Sequence, residues 1–466
     1  MQNKELRAAQ VRSTEHLERY TDLYDFAPVG YFTFTTDGTV RAVNLLGATL
    51  AGLERGRLVG RRFGLFVNEA DRGKFSDFLK CVLTSEGKQS CEVRLAHEGT
   101  VPRDVKIDGL RSVDGQECHA VLMDGDDPVG GRWNFDTDNR ESPPKGASTL
   151  GVPAPYHPVE DDIDADVRRD IDRMALDTVG IDGPRLFPVT PTEADEALRR
   201  FIADRLPFFG RYEDAMMGAD WSMAHSLLSV PLNLGVLHPL DAVHAAEAAY
   251  HDGSAPLAAV EGFIRQILGW REYMWQLYWH FGPDYLDNNS LDAHTPLPDW
   301  WTDLDVDAVD AECLSQALAG VRDRGWAHHI QRLMVLGSHG LQRGYQPREL
   351  SEWFASSFVD GFAWVMPTNV IGMSQHADGG LLATKPYTSG GAYINKMSDH
   401  CRSCRFDPKK RLGEDACPFT AGYWAFVDRH HDMLAANMRT SRAVSSLRRL
   451  SDLEAVLEQE RHREHF

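Results

Sequence analysis

No stretch of this 466-residue chain stays apolar for the roughly 18 to 20 residues a bilayer crossing needs. The opening Met1-Gln-Asn-Lys-Glu-Leu-Arg7 has no hydrophobic signal-peptide core. A membrane span and a secretory route therefore drop out, and a cytoplasmic protein without a membrane partner is expected. Positive charge is short: 49 Lys and Arg face 69 Asp and Glu, a formal net charge of -20. That balance argues against nucleic acid coating the whole surface, while leaving room for a local basic groove. The seven cysteines are an odd number without the spacing of a disulfide framework. Strand signals are almost missing after residue 190.

Three of the cysteines do form a pattern. Cys401-Arg-Ser-Cys404 and, twelve residues on, Cys417-Pro418 lie in a polar loop, and Cys313 stands far upstream. Such a loop suits gripping a metal better than filling a core. With Cys313 as fourth ligand it would tie a mid-chain helix to a late loop. Zinc and a 4Fe-4S cluster both accept four thiolates, so spacing leaves the metal open. Cys81, Cys91 and Cys118 sit apart and read as small buried or half-buried thiols.

Along the chain, Leu6, Val11, Leu17, Tyr20, Leu23 and Tyr24 mark an amphipathic helix over residues 5–25. Short strands follow, with Asp37-Gly38 between alternating apolar runs as a hairpin signal. Residues 90–95, 103–107 and 119–123 alternate like an antiparallel meander. The unit resembles a PAS domain over residues 15–126, through Tyr24-Asp-Phe-Ala-Pro-Val-Gly-Tyr-Phe32, Asp37-Gly-Thr-Val40 with Val43-Asn44, and Leu58-Val-Gly-Arg-Arg-Phe63 with Phe66-Val67 and Asp71. PAS domains bind small ligands or protein modules. No cysteine lies between Leu58 and Asp71, so flavin-adduct photochemistry is not expected, and a structural or dimerising role is preferred to a ligand sensor.

Breakers at Gly125–Gly131 and a Pro-rich run from Glu141 to Pro158 read as a linker. Ile163, Val167, Ile171 and Met174 stand at helical spacing within it. The expected organisation is thus an α+β PAS domain over 1–126, a linker over 127–190 and a large all-α domain over 191–466. Helices are expected at Leu240–Tyr250, Pro256–Phe281, Ala308–Arg324, Ala327–Gly340, Pro347–Phe358 and Pro418–His431, with one opening at Pro191 after Thr190 as a cap.

In Trp326-Ala-His328-His329-Ile-Gln-Arg332, neighbouring histidines on a helix lie about 100° apart, so one would face a given pocket. A buried Arg332 needs a carboxylate, for which Asp360 is the candidate. Arg265, Gln266, Trp270 and Arg271 interleave charge and aromatics in a way that suits base stacking, although such stripes are usually core. Ser226 and Ser229 could offer hydroxyls to phosphate at a helix start.

Taken together, Gly131-Arg-Trp-Asn-Phe-Asp136 with Asn139-Arg140 and Pro143-Pro-Lys-Gly146, Phe209-Gly-Arg-Tyr-Glu-Asp-Ala-Met216, Glu261 to Glu272, His328-His329-Ile-Gln-Arg332-Leu-Met, Asn369-Val-Ile-Gly-Met-Ser374 and the four cysteines resemble the iron-sulfur bacterial cryptochromes and photolyases, the prokaryotic (6-4) photolyase branch, over about residues 130–460. The resemblance implies FAD in the helical domain, with Ser226, Leu228 and Ser229 at its phosphates and Arg332 and Asp360 beside its ring. It implies a 4Fe-4S cluster on Cys313, Cys401, Cys404 and Cys417, and electron transfer from photoexcited reduced FAD to a flipped-out lesion in UV-damaged DNA. His329 would carry the proton, supported by His328. Gln266, Trp270 and Arg271 would face the lesion or DNA, and Trp353, Tyr393 and Trp301 would relay electrons. Two departures stand out: the PAS unit occupies the place of the antenna domain, so no lumazine antenna is expected, and Met366 stands where a polar group usually faces the flavin. The alternative function is a PAS-coupled blue-light photoreceptor that signals through a dimer or protein partner without repair.

Overall fold

The computed structural model describes residues 29–85, 87–96, 102–112, 115–124, 129–132 and 134–466. The helix expected over 5–25, the first part of the Tyr24–Phe32 motif, the breakers at 125–128 and Trp133 lie outside the described residues. Two compact units divide between residues 133 and 134.

The first unit is one antiparallel sheet of β1 (Gly30–Thr35), β2 (Val40–Val43), β3 (Gln89–Leu95), β4 (Arg103–Arg111) and β5 (Glu117–Asp124), in the order β2-β1-β5-β4-β3. The expected hairpin is there. Gly38 takes φ +80°, the left-handed conformation that glycine adopts without a Cβ penalty, and Thr35 Oγ1 and the Thr39 N–H both donate to Asp37. The expected meander is β3 to β5. Between β2 and β3 run helices α1 (Leu45–Leu50) and α2 (Arg72–Thr84), and Asn44 caps α1 by accepting from the Gly47 N–H at 2.8 Å. Alternation sends Phe32, Phe34, Val93, Val105, Ile107 and Leu122 to one face, where Phe63, Phe75 and Phe78 fill the space against the helices. Of the isolated cysteines, Cys118 is buried and Cys91 half-buried, but Cys81 is exposed, because it lies on the solvent side of α2.

The second unit is helical. Its described residues hold no named strand, only isolated bridges such as Met216 with Ser398. The stretch read as a linker falls in this unit from residue 134 onward, held to it at a few points, while none of residues 159–186 is buried. Asn139 is buried and donates to the Ala258 carbonyl at 3.0 Å, and Arg205 Nη1 donates to the Pro153 carbonyl at 2.7 Å. Helix α3 (Asp162–Met174) is tied to α4 (Pro191–Arg200) by Arg185, which bridges Asp164 and Glu193 at 2.8 Å each. Thr190 and Glu193 form the capping box of α4.

The helices that build the interior are α5 (Pro239–His251), α6 (Leu257–Ile264), α7 (Glu272–Phe281), α8 (Glu312–Arg324), α9 (Ser338–Arg343), α10 (Pro347–Ser357), α11 (Gly391–Met397) and α12 (Pro418–Arg429). The expected 256–281 helix is one run whose middle, Arg265–Arg271, is π-helical. The expected 308–324 helix begins later, at Glu312, after a short turn. The largest apolar cluster runs from Trp301 and Cys313 through Leu314, Leu336 and Trp353 to Phe419.

Candidate functional site: one cavity and a cage of thiols

A cavity of about 1000 Å³ opens in the helical unit, at the upper end of the volumes that ligand sites usually have. Three π-helical turns line it: Arg265–Arg271, Gln331–Gly337 and Thr368–Ser374. The extra residue in a π turn shifts the side chains that follow it, and such turns recur at functional sites. Here they turn Gln266, Trp270, Arg271, Arg332, Asn369 and Ser374 toward one space.

The structure brings most of the candidates together. Ser226, Leu228, Ser229, Gln266, Trp270, Arg271, His328, His329, Arg332, Asp360, Met366 and Tyr393 all line the cavity. Trp353 and Trp301 do not. They pack together in the core at 5.1 Å between ring centroids, and Trp353 reaches the cavity wall through Phe354, 5.0 Å away. Arg332 forms the expected pair, Nη1 to Asp360 Oδ1 at 2.8 Å and Nη2 to Oδ2 at 3.1 Å, with its guanidinium over the Phe358 ring. A bidentate pair fixes orientation as well as charge.

One expectation needs correction. His328 and His329 both face the cavity, because the helix starts only at His329 and His328 belongs to the segment before it. The 100° rule holds between helical neighbours, and these two are not such a pair. His328 is buried against His225, rings stacked at 4.7 Å and 22°. Burial pushes the imidazoles of His225 and His328 well below the usual histidine range, so both are neutral. His329 is half in solvent and has its Nε2 3.7 Å from Asp214 Oδ1.

Several polar contacts in the wall were not legible in the sequence. Glu213 is buried and accepts from Gln266 Nε2 at 2.7 Å. Burial pushes its carboxyl up to about 7, with His329 opposing and Asp214 adding to the shift. Trp270 donates from Nε1 to Asn369 Oδ1 at 3.1 Å, which fixes the plane of its ring. Arg271 lies over Trp364, from which Trp275 and Trp279 lead outward at 5.4 and 5.6 Å to a tryptophan 65% exposed. Lys385, Tyr387, Lys396 and Arg439 complete a basic and aromatic stretch of lining. These residues are scattered from Glu213 to Arg439, and only tertiary packing assembles them.

The lining fits a large anionic ligand with an aromatic portion: hydroxyls at Ser226 and Ser229, apolar walls at Leu228, Met366 and Val370, and the guanidinium of Arg332. It thus suits the phosphates and ring of a flavin dinucleotide.

Cys313, Cys401, Cys404 and Cys417 line a second, small enclosed space with Ala311, Gly391 and Phe406. Burial raises the Cys313 thiol well above the ordinary range, and Cys417, Cys401 and Cys404 add to the shift. A Cβ at Gly391 would stand 2.8 Å from the Cys417 sulfur, which explains a glycine at the start of α11. A tetrahedral zinc ion would draw four sulfurs to about 3.8 Å of one another. Among the described residues, the set with ligand atoms within 4.8 Å of one another is His225, His328 and His329, not the cysteines. Four thiols around one space are a donor set that either zinc or an iron-sulfur cluster accepts.

Comparison with known proteins finds relatives for both units. Residues 116–184 match the family described as deoxyribodipyrimidine photo-lyase-related protein. Over 335 residues, 71% of its length, the chain is 46% identical to a protein named (6-4) photolyase from Agrobacterium fabrum, of which the match covers 64%. Among solved structures, a bacterial class III photolyase from Agrobacterium tumefaciens aligns over 56% of this chain and 57% of its own, with 19% identity and a TM-score of 0.37. The PAS domain of an HTR-like protein from Haloarcula marismortui aligns over 25% of this chain and 98% of its own, with 19% identity and a TM-score of 0.23. A helical unit with one deep cavity and a bidentate Arg–Asp pair in its wall is the class of protein defined here. By its 46% identity the chain is similar to a (6-4) photolyase over 71% of its own length. It spans just under two thirds of the length of the (6-4) photolyase it matches. Among the described residues no helix is long and apolar enough to cross a membrane.

Proposed function

We propose that the chain is a light-dependent flavoprotein that repairs (6-4) lesions in UV-damaged DNA, with FAD in the large cavity and a 4Fe-4S cluster on Cys313, Cys401, Cys404 and Cys417. The observation that carries this reading is the convergence of the His328-His329 pair, Trp270, Gln266 and the Arg332–Asp360 pair on one cavity. When bound, reduced FAD supplies an electron on excitation by light.

The chain's own residues do the rest. Ser226, Leu228 and Ser229 hold the phosphate end of the cofactor, and Arg332, fixed by Asp360, sets a cation beside its ring. Trp270, its plane held by Asn369, stacks on the extruded base, while Arg271 meets the DNA. Gln266 offers the lesion its amide from an orientation that Glu213 holds. His329 delivers a proton from Nε2, beside the Asp214 carboxylate. His328, buried and neutral, keeps its neighbour in place by packing. Tyr393 is in the cavity wall and suits electron relay directly, whereas Trp353 and Trp301 would act from the core behind Phe354.

A second reading, a photoreceptor signalling through the PAS-like unit, is favoured by Met366, a buried thioether in the wall where the resemblance expects a polar group. It requires a light-dependent change in oligomer size that disappears on deletion of residues 1–126.

An absorption spectrum of the purified chain with iron and acid-labile sulfide analysis tests both cofactors, and competition between damaged and undamaged duplex tests the substrate. Flavin bands, iron with sulfide and preference for a (6-4) duplex are expected. A flavin-free protein that binds both duplexes alike would remove the reading.

A further inference from the structure

We propose that one ring nitrogen each from His225, His328 and His329 forms a binding site for a divalent transition-metal ion of the zinc and copper class in the cavity wall. Two independent observations point there. The ligand atoms of the three side chains lie within 4.8 Å of one another. His225 and His328, 7% and 3% exposed, leave Nε2 of His225 and both ring nitrogens of His328 without a hydrogen-bond partner. A buried polar atom without a partner is uncommon and calls for one.

The chemistry of the donor set selects the ion. Neutral imidazole is a ligand for zinc, copper and nickel, whereas magnesium and calcium prefer oxygen. Three histidines around an open position are a recurrent zinc arrangement, and here the cavity supplies the open position. Zinc–nitrogen bonds of about 2.0 to 2.1 Å put tetrahedral nitrogens about 3.3 Å apart, so the set must draw together on binding, and the stacked rings of His225 and His328 must turn until their lone pairs converge. Asp214 Oδ1, 3.7 Å from His329 Nε2, adds negative charge beside the ion.

The segment that carries His225 is held rigidly. Arg205 is 2% exposed and donates to the carbonyls of Ser222, Met223 and His225 as well as Pro153. The His225 ring also packs on Phe209 and Trp326. The proposal goes beyond repair, which does not call for such an ion. A metal on His329 would occupy the nitrogen lone pair proposed for proton transfer, so occupation opposes repair.

The test uses the full chain with its flavin and iron, and Zn²⁺ alone as probe, titrated in competition with a chromophoric chelator. One Zn²⁺ per chain is expected, and His225→Phe, which keeps a ring against Phe209 and Trp326, should weaken it by at least about a hundredfold, because even loss of a supporting contact around a metal ligand costs about 10 to 100-fold. His328→Phe should do the same, and flavin and iron content report that either variant is folded. With Cu²⁺ as probe, the electron paramagnetic resonance spectrum should show three nitrogen couplings, falling to two in a folded variant. Unchanged Zn²⁺ affinity in a folded variant, or copper without nitrogen coupling, would overturn the site. Because binding is read without a lesion or light, failure of repair leaves this result intact.

Discussion

Arg332 and Asp360, 28 residues apart in sequence, meet in the cavity wall as a two-bond ion pair, with Asp360 7% and the Arg332 side chain 20% exposed. Removing one partner of such a pair leaves the other desolvated and uncompensated. Asp360→Ala should lower unfolding free energy by about 3 kcal/mol and release flavin on gel filtration. Arg332→Lys should keep the charge but lose the fork geometry, so its flavin should exchange faster.

Trp270 is held edge-on by Asn369. Replacing it with alanine removes a stacking surface worth about 1 to 3 kcal/mol per base. Trp270→Ala should weaken binding of a lesion-containing duplex by that amount with little effect on undamaged duplex, read by fluorescence anisotropy. Asn369→Ala should give a smaller loss in the same direction, because the ring remains but its plane is no longer fixed.

The thiol cage is set by Cys313 on α8 and the loop before α12. Cys313→Ser should abolish the expected complement of about four iron atoms per chain and lower the melting temperature, while Cys81→Ser, at an exposed site in the other unit, should leave iron content unchanged.

Glu213 gives the helical unit a pH dependence with a definite sign. Its carboxyl is raised by burial to about 7, above the ordinary value of 4.5, so the folded state holds the proton more tightly than the unfolded chain. The associated stability is fully present below the unfolded value and is lost as pH rises through about 7, to a limit of about 3 kcal/mol. Glu213→Gln should flatten stability between these values in denaturant titrations at fixed pH. An unchanged slope would mean that Glu213 is not the titrating group.

How much of this was legible in the sequence depended on whether the signal was local. The Asp37-Gly38 hairpin, the capping box at Thr190 and the Arg332–Asp360 pair follow from turn chemistry, cap chemistry and the cost of a buried cation. The four cysteines were found by spacing together with family resemblance. What was missed lies in tertiary packing. Residues 134–190 look like a linker because they are rich in breakers, yet Asn139 and Arg185 make them part of the helical unit. His225 is more than a hundred residues from His328, and nothing in its neighbourhood announces that the two rings stack. Glu213 stands in the Phe209–Met216 stretch that carries the resemblance, but nothing local shows that it is buried beside Gln266. The π turns, which decide what the cavity sees, leave no periodicity that a helical pattern reveals.

The most direct measurement is photorepair: reduced, flavin-loaded protein is illuminated with blue light in the presence of a duplex carrying one (6-4) photoproduct, and the oligonucleotide is analysed by chromatography. The expected result is restored pyrimidines in the light and none in the dark, with repair lost in His329→Ala at unchanged flavin content. Protein that holds flavin and binds the damaged duplex, yet leaves the lesion intact under light, would contradict the account.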